Sequence, residues 1–146
     1  MTGFLGRYEY QLDQKGRVSL PAEYRHKAGA KRFVLVQWEP THLTLFPEAV
    51  WDGVKERLLE MRRSRADLAK TLREVTSRAK DVTPDKQGRI LIPSWLKEGA
   101  GLDGTVLLVG AMDRIEIWDQ KTFLERHPHE VSEDAERIAE MHRIFG

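Results

Sequence analysis

The chain has 146 residues, 40% of them hydrophobic, and a formal net charge of +1. This length and composition favour a folded core over disorder, and the near-neutral charge argues against a general polyanion binder of the histone kind. Cysteine is absent, which excludes disulfides, thiolate catalysis and thiolate metal sites. No apolar run could cross a membrane and no secretory leader pattern opens the chain, so we expect a soluble cytoplasmic protein without a membrane partner.

The chain begins with two short predicted strands. Tyr8, Tyr10 and Leu12 alternate with polar residues, which is typical of a half-buried strand. A glycine-containing turn then leads into a second β-favouring run at residues 18–20. These two strands and their turn form a hairpin-like unit.

A short helix and two further strands are predicted next. Pro21 suits the first position of the helix, because that position makes no backbone hydrogen bond, and Gly29 can close it. Strands follow near residues 33–38 and 43–46, separated by a turn at residues 39–41. This part of the chain therefore contributes four strands and one small helix.

A helical linker follows the fourth strand. Its apolar residues recur at helical spacing on one face: Val50, Trp51, Val54, Leu58 and Met61, continued by Leu68, Leu72 and Val75. An aromatic residue on such a stripe usually packs in the core, so we expect the stripe to be buried.

The chain contains an internal repeat with an offset of 72 residues and no gap from Asp13 to Trp51. Residues 13–21 align with residues 85–93, and the apolar runs at 34–36 and 43–46 align with those at 106–108 and 115–118. A single copy of about 40 residues would have a marginal core, so we expect the two copies to fuse their sheets.

The second copy predicts the same elements in the same order. Strands are expected at residues 90–92, 106–110 and 114–118, with a helix that starts at Pro93 and ends at Gly101. After Pro128 an amphipathic helix is expected, with apolar residues on one side: Val131, Ala135, Ile138 and Phe145.

Positive charge is concentrated in two segments. Residues 1–38 hold seven lysines and arginines against three acids, and residues 61–80 hold seven against two. Residues 125–146 are acidic, with six acids against three arginines. A local basic face is therefore possible although the whole chain is near neutral.

The polar signal of each copy lies in one tight turn of the form Asp-x-x-Gly-Arg. Gly16 and Gly88 permit a turn with positive φ, and Asp13 and Asp85 can accept hydrogen bonds from turn amides. Two interpretations remain open. The arginines can reach a phosphate or a guanine edge with their planar forks, or they can form internal ion pairs that stabilise the turn.

Enzymatic motifs are absent from the sequence. It has no HExxH, GxSxG, P-loop or GxGxxG pattern, and its serines lack a recognisable nucleophile setting. His127 and His129 flank Pro128 at a helix boundary, which is more typical of a solvated loop than of a metal site. We therefore expect no catalytic residue, metal, cofactor or small-molecule substrate.

The repeated motif resembles the duplicated signature of the MraZ family. The matching residues are Asp13, Lys15, Gly16, Arg17 and Pro21 in the first copy and residues 85–93 in the second; residues 4–8, 107–110 and 115–118 are similar to the family as well. The resemblance covers most of residues 4–124. The end of the linker, residues 71–79, is mostly polar where the family often has an apolar stretch, which leaves its packing against the barrel open.

The resemblance implies a fold, a function and a site. The fold would be α+β and mainly β, a duplicated AbrB-like swapped-hairpin barrel with short helices, a helical linker and a C-terminal helix. The function would be that of a nucleoid-associated transcriptional repressor of its own division and cell-wall gene cluster, a ring-shaped homo-oligomer that binds direct repeats in promoter double-stranded DNA. By position, the DNA-binding residues would be Lys15, Arg17, Lys86 and Arg89.

Four segments are predicted on this basis: a first repeat at residues 5–51, a linker at 52–80, a second repeat at 81–124 and a helical tail at 125–146. No function is assigned to the tail. The rival interpretation is a non-enzymatic module that binds a protein partner, of antitoxin or scaffold type, which the near-zero net charge favours. Against it, the basic segments flank or contain the repeated turn, where a partner-binding surface would carry apolar anchors.

Overall fold

The computed structural model describes residues 2–29 and 31–146. The strands are β1 (Arg7–Gln11), β2 (Arg17–Ser19), β3 (Phe33–Glu39), β4 (His42–Pro47), β5 (Ala79–Val82), β6 (Arg89–Leu91), β7 (Thr105–Gly110) and β8 (Ile115–Asp119). The helices are α1 (Ala22–Ala28), α2 (Glu48–Ser64), α3 (Ala69–Ser77), α4 (Ser94–Gly99), α5 (Gln120–Arg126) and α6 (Ala135–Phe145), with a 3-10 turn at Ala66–Leu68. None of the helices in these ranges is long and apolar enough to cross a membrane.

The two repeats exchange strands. β1 of the first repeat pairs with β7 of the second, and β5 of the second repeat pairs with β3 of the first, all antiparallel. The resulting sheet has the order β1-β7-β8-β4-β3-β5, and β2 pairs with β6 in a separate two-stranded ribbon. The predicted class, α+β and mainly β with exchanged hairpin strands, is confirmed. The pairings form these two sheets and do not form one closed ring of strands.

Both repeats contribute to one core. Side chains from either copy lie together with almost no exposed surface, including Phe4, Tyr24, Phe33, Leu35, Leu43, Leu45, Ile90, Ile92, Leu96, Leu108, Ile115 and Ile117. Val18 of β2 and Ile90 of β6 face this core from the ribbon. The expectation that two small copies fuse is therefore confirmed, since neither would bury enough apolar surface alone.

The gap-free alignment of the repeats is wrong by one residue along the third strand. It places Leu35 on Leu107, whereas the strand pairings place Leu35 on Leu108. β1 sets Tyr8 opposite Leu108, and β5 sets Lys80, which lies 72 residues after Tyr8, opposite Leu35. Leu35 and Leu108 both lie in the shared core with no exposed surface.

A β-bulge explains why the original alignment returns at the fourth strand. The pairing of β3 with β4 changes register between Val36 and Glu39, which takes up the additional residue of the first repeat. Because side chains alternate along a strand, a slip of one residue moves a side chain to the other face. Leu107 accordingly packs with Trp118 and Phe123 in a smaller cluster on the outer face.

The short helices begin one residue later than predicted. Pro21 and Pro93 occupy the cap positions before α1 and α4, with ψ of 138° and 146°, so neither is the first helical residue. The fixed φ of proline is compatible with this cap position. The extended ψ of each proline turns the chain from the ribbon into the helix. Gly29 closes α1 with φ of 60°, as predicted.

The predicted linker helix is broken at Arg65, which has φ of −140° and ψ of 90°. Ser64 Oγ bonds back to the carbonyl of Glu60 at 2.9 Å, a local bond that competes with continuation of the helix. The prediction of a buried apolar stripe holds only in part for α2, whose stripe is half-buried and includes no fully buried residue. Its apolar side chains, with Trp38 and Phe46 of the sheet, line an open groove of about 510 Å³.

The C-terminal helix also differs from its prediction. It begins at Ala135, so Val131 lies in the preceding loop, and Phe145 is 82% exposed. Ile138 and Ile144 are exposed as well. The 3.6-residue pattern predicts a helix with an apolar face, and here that face has no cover within the described part of the chain.

Two glycine substitutions provide a test of this packing. A Cβ on Gly110 would lie 2.4–2.5 Å from backbone atoms of Phe4 and Leu5, whereas a Cβ on Gly53, inside α2, would meet only an arginine nitrogen at 3.6 Å. We expect Gly110→Ala to lower the melting temperature strongly. Gly53→Ala should raise it, because alanine is favoured over glycine in a helix by about 1 kcal/mol. Equal effects in thermal denaturation would contradict the placement of Phe4 and Leu5 against β7.

Candidate nucleic-acid interface

The first turn is organised by one carboxylate. Asp13 Oδ1 accepts hydrogen bonds from the amides of Lys15 at 2.9 Å and Arg17 at 2.8 Å, and Oδ2 accepts one from Arg17 Nε at 2.8 Å. The amide of Gly16 donates to the carbonyl of Asp13 at 3.0 Å, and φ of Gly16 is 84°. Only glycine adopts this φ readily, so the composition of the turn follows from its geometry.

The second turn has the same construction. Asp85 Oδ1 accepts from the amides of Gln87 and Arg89, both at 2.9 Å, and Oδ2 accepts from Arg89 Nε at 3.1 Å. Gly88 has φ of 77° and donates its amide to the carbonyl of Asp85 at 2.9 Å. Each arginine is therefore held through Nε, and its two terminal nitrogens extend beyond the carboxylate.

The ribbon of β2 and β6 brings the two turns together. Bonds from the amide of Leu20 to the carbonyl of Gly88 and from the amide of Ile92 to the carbonyl of Gly16, both 2.8 Å, extend its pairing at either end. The turns therefore flank the ribbon, separated by four residues along each strand, or roughly 13 Å. Arg89 Nη1 also lies 4.0 Å from Asp13 Oδ2, which links one turn to the other.

The outer face of the ribbon carries both arginines. Arg17 is directly opposite Leu91, and Ser19 is directly opposite Arg89, while Val18 and Ile90 between them point into the core. The two arginines are diagonal neighbours, whose Cα atoms are typically about 7–8 Å apart in such a pair. Leu91 is 54% exposed, so this face is open to solvent.

Two lysines extend the cationic surface at the tips of the turns. Lys15 and Lys86 are exposed, and neither ammonium forms an ion pair with any residue within 2–29 or 31–146. The four cations predicted from the sequence, Lys15, Arg17, Lys86 and Arg89, thus lie on or beside one ribbon although they are up to 74 residues apart in the chain.

Arg25 of α1 is a further cation at this surface that sequence reasoning missed. Its Nε donates to the carbonyl of Leu20 at 3.1 Å, and its guanidinium lies over the second turn, where a Cβ on Gly88 would be 2.6 Å from Arg25 Cζ. Its local sequence gives no sign of this role, because the contact joins the two repeats. Ser19 and Leu91 could have been found by alternation about the buried positions between them.

The electrostatics favour an anionic ligand. Backbone hydrogen bonds from the amides of Arg17 and Arg89 are the main cause that lowers the pKa of Asp13 and of Asp85, with the bonds from the side chains of these arginines contributing further. Both aspartates are therefore ionised near neutral pH. Their two charges leave a surplus of positive charge at the ribbon, where Lys15, Arg17, Arg25, Lys86 and Arg89 converge.

Other polar groups lie outside the ribbon. The basic segment 61–80 forms part of α2, α3 and β5, and among the described residues its ion pairs, Arg63 with Glu60 and Arg65 with Asp67, stay within the segment or its helix. The ring of His127 packs against Trp118 and Phe123, and His129 lies in the following loop. No group of three metal-type ligands occurs in the described ranges.

Two tandem repeats that exchange strands and present a paired Asp-x-x-Gly-Arg turn define a duplicated swapped-hairpin class of protein. A sequence model of the family described as "MraZ protein, putative antitoxin-like" matches residues 4–74 and 75–140. This chain belongs to the MraZ family.

Curated relatives support the same assignment. A protein named "Transcriptional regulator MraZ" from Leuconostoc citreum (strain KM20) is 35% identical over 137 residues, which cover 94% of both chains. Proteins of the same name from Syntrophomonas wolfei and Moorella thermoacetica (strain ATCC 39073 / JCM 9320) are 34% and 36% identical over the same length, with the same coverage of both chains.

Substitutions in the turn should separate its structural and cationic parts. Asp13→Ala removes three hydrogen bonds, whereas Arg17→Ala removes only the one from Nε. We expect Asp13→Ala and Asp85→Ala to lower the melting temperature more than Arg17→Ala and Arg89→Ala. Equal losses across these four variants would contradict this division between a structural aspartate and a cationic arginine.

The effect of the aspartates should depend on pH. Their pKa values are lowered in the folded protein, so the stabilisation is complete above the unfolded value of about 3.9 and is lost as pH falls through the folded value. The difference in melting temperature between the wild type and Asp13→Ala should therefore shrink on acidification below about pH 4. A difference independent of pH would show that the charge of Asp13 does not matter.

Proposed function

We propose that this chain is a sequence-specific, DNA-binding transcriptional regulator. The observation that carries the proposal is the ribbon of β2 and β6, which places Arg17 and Arg89 on one exposed face with Lys15 and Lys86 at its two ends. A two-stranded ribbon has the size that the major groove of B-DNA admits. The name shared by the relatives supports the regulatory part of the proposal.

Each cation has a distinct part in this proposal. Lys15 and Lys86 act as point charges that neutralise phosphates on either side of the groove, since each is exposed and lacks an ion-pair partner in the described ranges. Arg17 and Arg89 keep their terminal nitrogens for a base edge, because the hydrogen bonds to the aspartates engage Nε, and the approach of Arg89 Nη1 to Asp13 Oδ2, at 4.0 Å, is too long for a hydrogen bond. A guanidinium presented in this way can donate two hydrogen bonds to O6 and N7 of guanine.

The carboxylates orient the arginine side chains before DNA binds. A free arginine has many rotamers and gives up much of this freedom on binding, whereas Asp13 and Asp85 already orient the guanidinium groups. Asp13 and Gly16, with Asp85 and Gly88, are therefore proposed to structure the loops and not to touch DNA. In this view the internal ion pair and the DNA contact are two uses of one arginine.

The proposed regulatory role includes a specific target. The chain acts as a nucleoid-associated cytoplasmic repressor of its own division and cell-wall gene cluster and binds direct repeats in its own promoter. The family similarity over 94% of the chain supports this extension. A single ribbon offers few cations, so useful affinity requires several subunits that engage neighbouring boxes at once.

A ring-shaped homo-oligomer would supply these subunits. Support comes from apolar surface that the described part of the chain leaves open: Ile138, Ile144 and Phe145 on α6, and the groove between α2, α3 and the sheet. The groove lining carries Arg57, Arg78 and Arg114 against Glu74, whereas the tail that contains α6 is acidic. Contacts between unlike surfaces of this kind join neighbours head to tail, and they form a ring where the rotation between neighbours closes.

A gel shift tests the DNA proposal. The probe is the duplex immediately upstream of the chain's own gene, with a scrambled duplex of equal length as reference. We expect the upstream duplex to be preferred, with Arg17→Ala and Arg89→Ala each costing about 1–3 kcal/mol at this probe. Lys15→Ala and Lys86→Ala should weaken both probes and reduce the slope of log affinity against log salt by about 1.

Arg63→Ala is the matched control, because it removes an arginine that is paired with a carboxylate but lies on α2. It should leave the preference between probes unchanged. Absence of any preference in the wild type would favour the protein-partner module instead. A loss with Arg63→Ala equal to that with Arg17→Ala would place the DNA on the linker helices.

Mass determination by light scattering tests the oligomer. We expect a mass several times the 16.9 kDa of one chain. The double substitution Ile138→Ser and Phe145→Ser should lower the mass and leave the melting temperature of the subunit nearly unchanged, since both side chains are exposed. A monomeric wild type would overturn the ring, and an oligomer unaffected by the substitutions would remove α6 from the interface.

A further inference from the structure

The outer face of the ribbon is not symmetric between the repeats. Exchange of the repeats interchanges Arg17 with Arg89, which are chemically identical, and interchanges Ser19 with Leu91, which are not. At one end of the face the hydroxyl of Ser19 lies directly opposite Arg89. At the other end the apolar side chain of Leu91 lies directly opposite Arg17. The two arginines alone would give this face no direction, so among its strand residues the direction comes from Ser19 and Leu91.

Leu91 lies on the outer face of the ribbon, opposite Arg17. It is 54% exposed although both of its neighbours, Ile90 and Ile92, are buried. Its Cδ1 lies 4.0 Å from the position of a Cβ on Gly16, so the side chain extends over the first turn beside Arg17. An exposed leucine is common on protein surfaces. This leucine is distinguished by its position between Arg17, across the ribbon, and Arg89, two residues before it on the same strand.

We propose that Leu91 contacts the C5-methyl group of a thymine, and that the difference between Leu91 and Ser19 makes the ribbon bind its DNA box in one orientation. The inference rests on the proposed function. Thymine is the base that presents an apolar group in the major groove, and apolar side chains recognise it there. The hydroxyl of Ser19 accepts or donates and so discriminates less between bases.

This asymmetry has a consequence for how boxes are arranged. A ribbon with two equivalent halves would fit an inverted repeat, whereas this ribbon distinguishes the two ends of its box. Subunits that follow one another head to tail would then each need a box in the same direction. The side chains at positions 19 and 91 thus provide a chemical reason for direct repeats in the proposed promoter site.

The first experiment selects preferred sequences from a pool of randomised duplexes with the full-length wild type. We expect an asymmetric box that contains guanine and at least one preferred thymine. That thymine is then replaced by deoxyuridine, which removes only the methyl group. Binding of the wild type should fall by about four-fold, the value for one buried methyl-sized group.

The second experiment uses three variants. Leu91→Ser should bind the thymine and deoxyuridine duplexes equally, because the contact is already lost. The exchange of Ser19→Leu together with Leu91→Ser should reverse the direction of the selected box relative to a fixed flanking sequence. Leu5→Ser, which changes a leucine that is 51% exposed near the start of β1, is the matched control and should behave as the wild type.

The outcomes separate the inference from the proposed function. If no duplex is enriched, the proposed function fails and the inference fails with it. If a box is selected but deoxyuridine weakens the wild type and Leu91→Ser equally, or weakens neither, the thymine contact is overturned while the DNA-binding function stands. Melting curves of each variant identify any loss that comes from unfolding, and the deoxyuridine test on the wild type needs no substitution at all.

Discussion

Each repeat of this chain completes its sheet with a strand from the other repeat, and every candidate DNA contact depends on that exchange. β1 and β5 cross to the opposite copy, so the turns that follow them are delivered to a common place. There β2 and β6 pair over only three residues, with Val18 and Ile90 anchored in the shared core. A ribbon this short would not persist alone, since isolated two-stranded pairs are marginal in water. The core beneath it holds the arginines in register.

The geometry of the turns is compatible with both interpretations of the arginines. Asp13 and Asp85 do form internal ion pairs with Arg17 and Arg89. The same bonds orient the remaining guanidinium nitrogens, which is the preorganisation that the proposed DNA contact requires. Arg25 adds a contact between the repeats at the second turn, so the two turns behave as one surface.

The repeats diverge where the chain leaves the sheet. On the sheet they remain alike, because equivalent positions make equivalent contacts across the repeats. The guanidinium of Arg114 lies 4.8 Å from the ring centroid of Phe46, and at the corresponding positions the ring of His42 stacks on Trp118 at 4.4 Å. Beyond it, α2 continues to Ser64 and borders an open groove, whereas α5 ends at Arg126 before Pro128. The open groove and the exposed apolar side chains of α6 lie in these unlike parts, away from the ribbon.

The sequence by itself determined the local structure of this protein: the repeat, the positions of most strands, the capped short helices and the Asp-x-x-Gly-Arg turns. These depend on alternation, on the fixed φ of proline and on the positive φ of glycine, which act over a few residues. Only the tertiary structure decided which strands pair, because a period of two does not name a partner. It revealed the one-residue shift of Leu35 to Leu108, since a bulge is a compromise between two strands. It also placed Arg25 over Gly88 and left Phe145 exposed, because burial depends on which surfaces meet and not on the spacing of apolar residues along one helix.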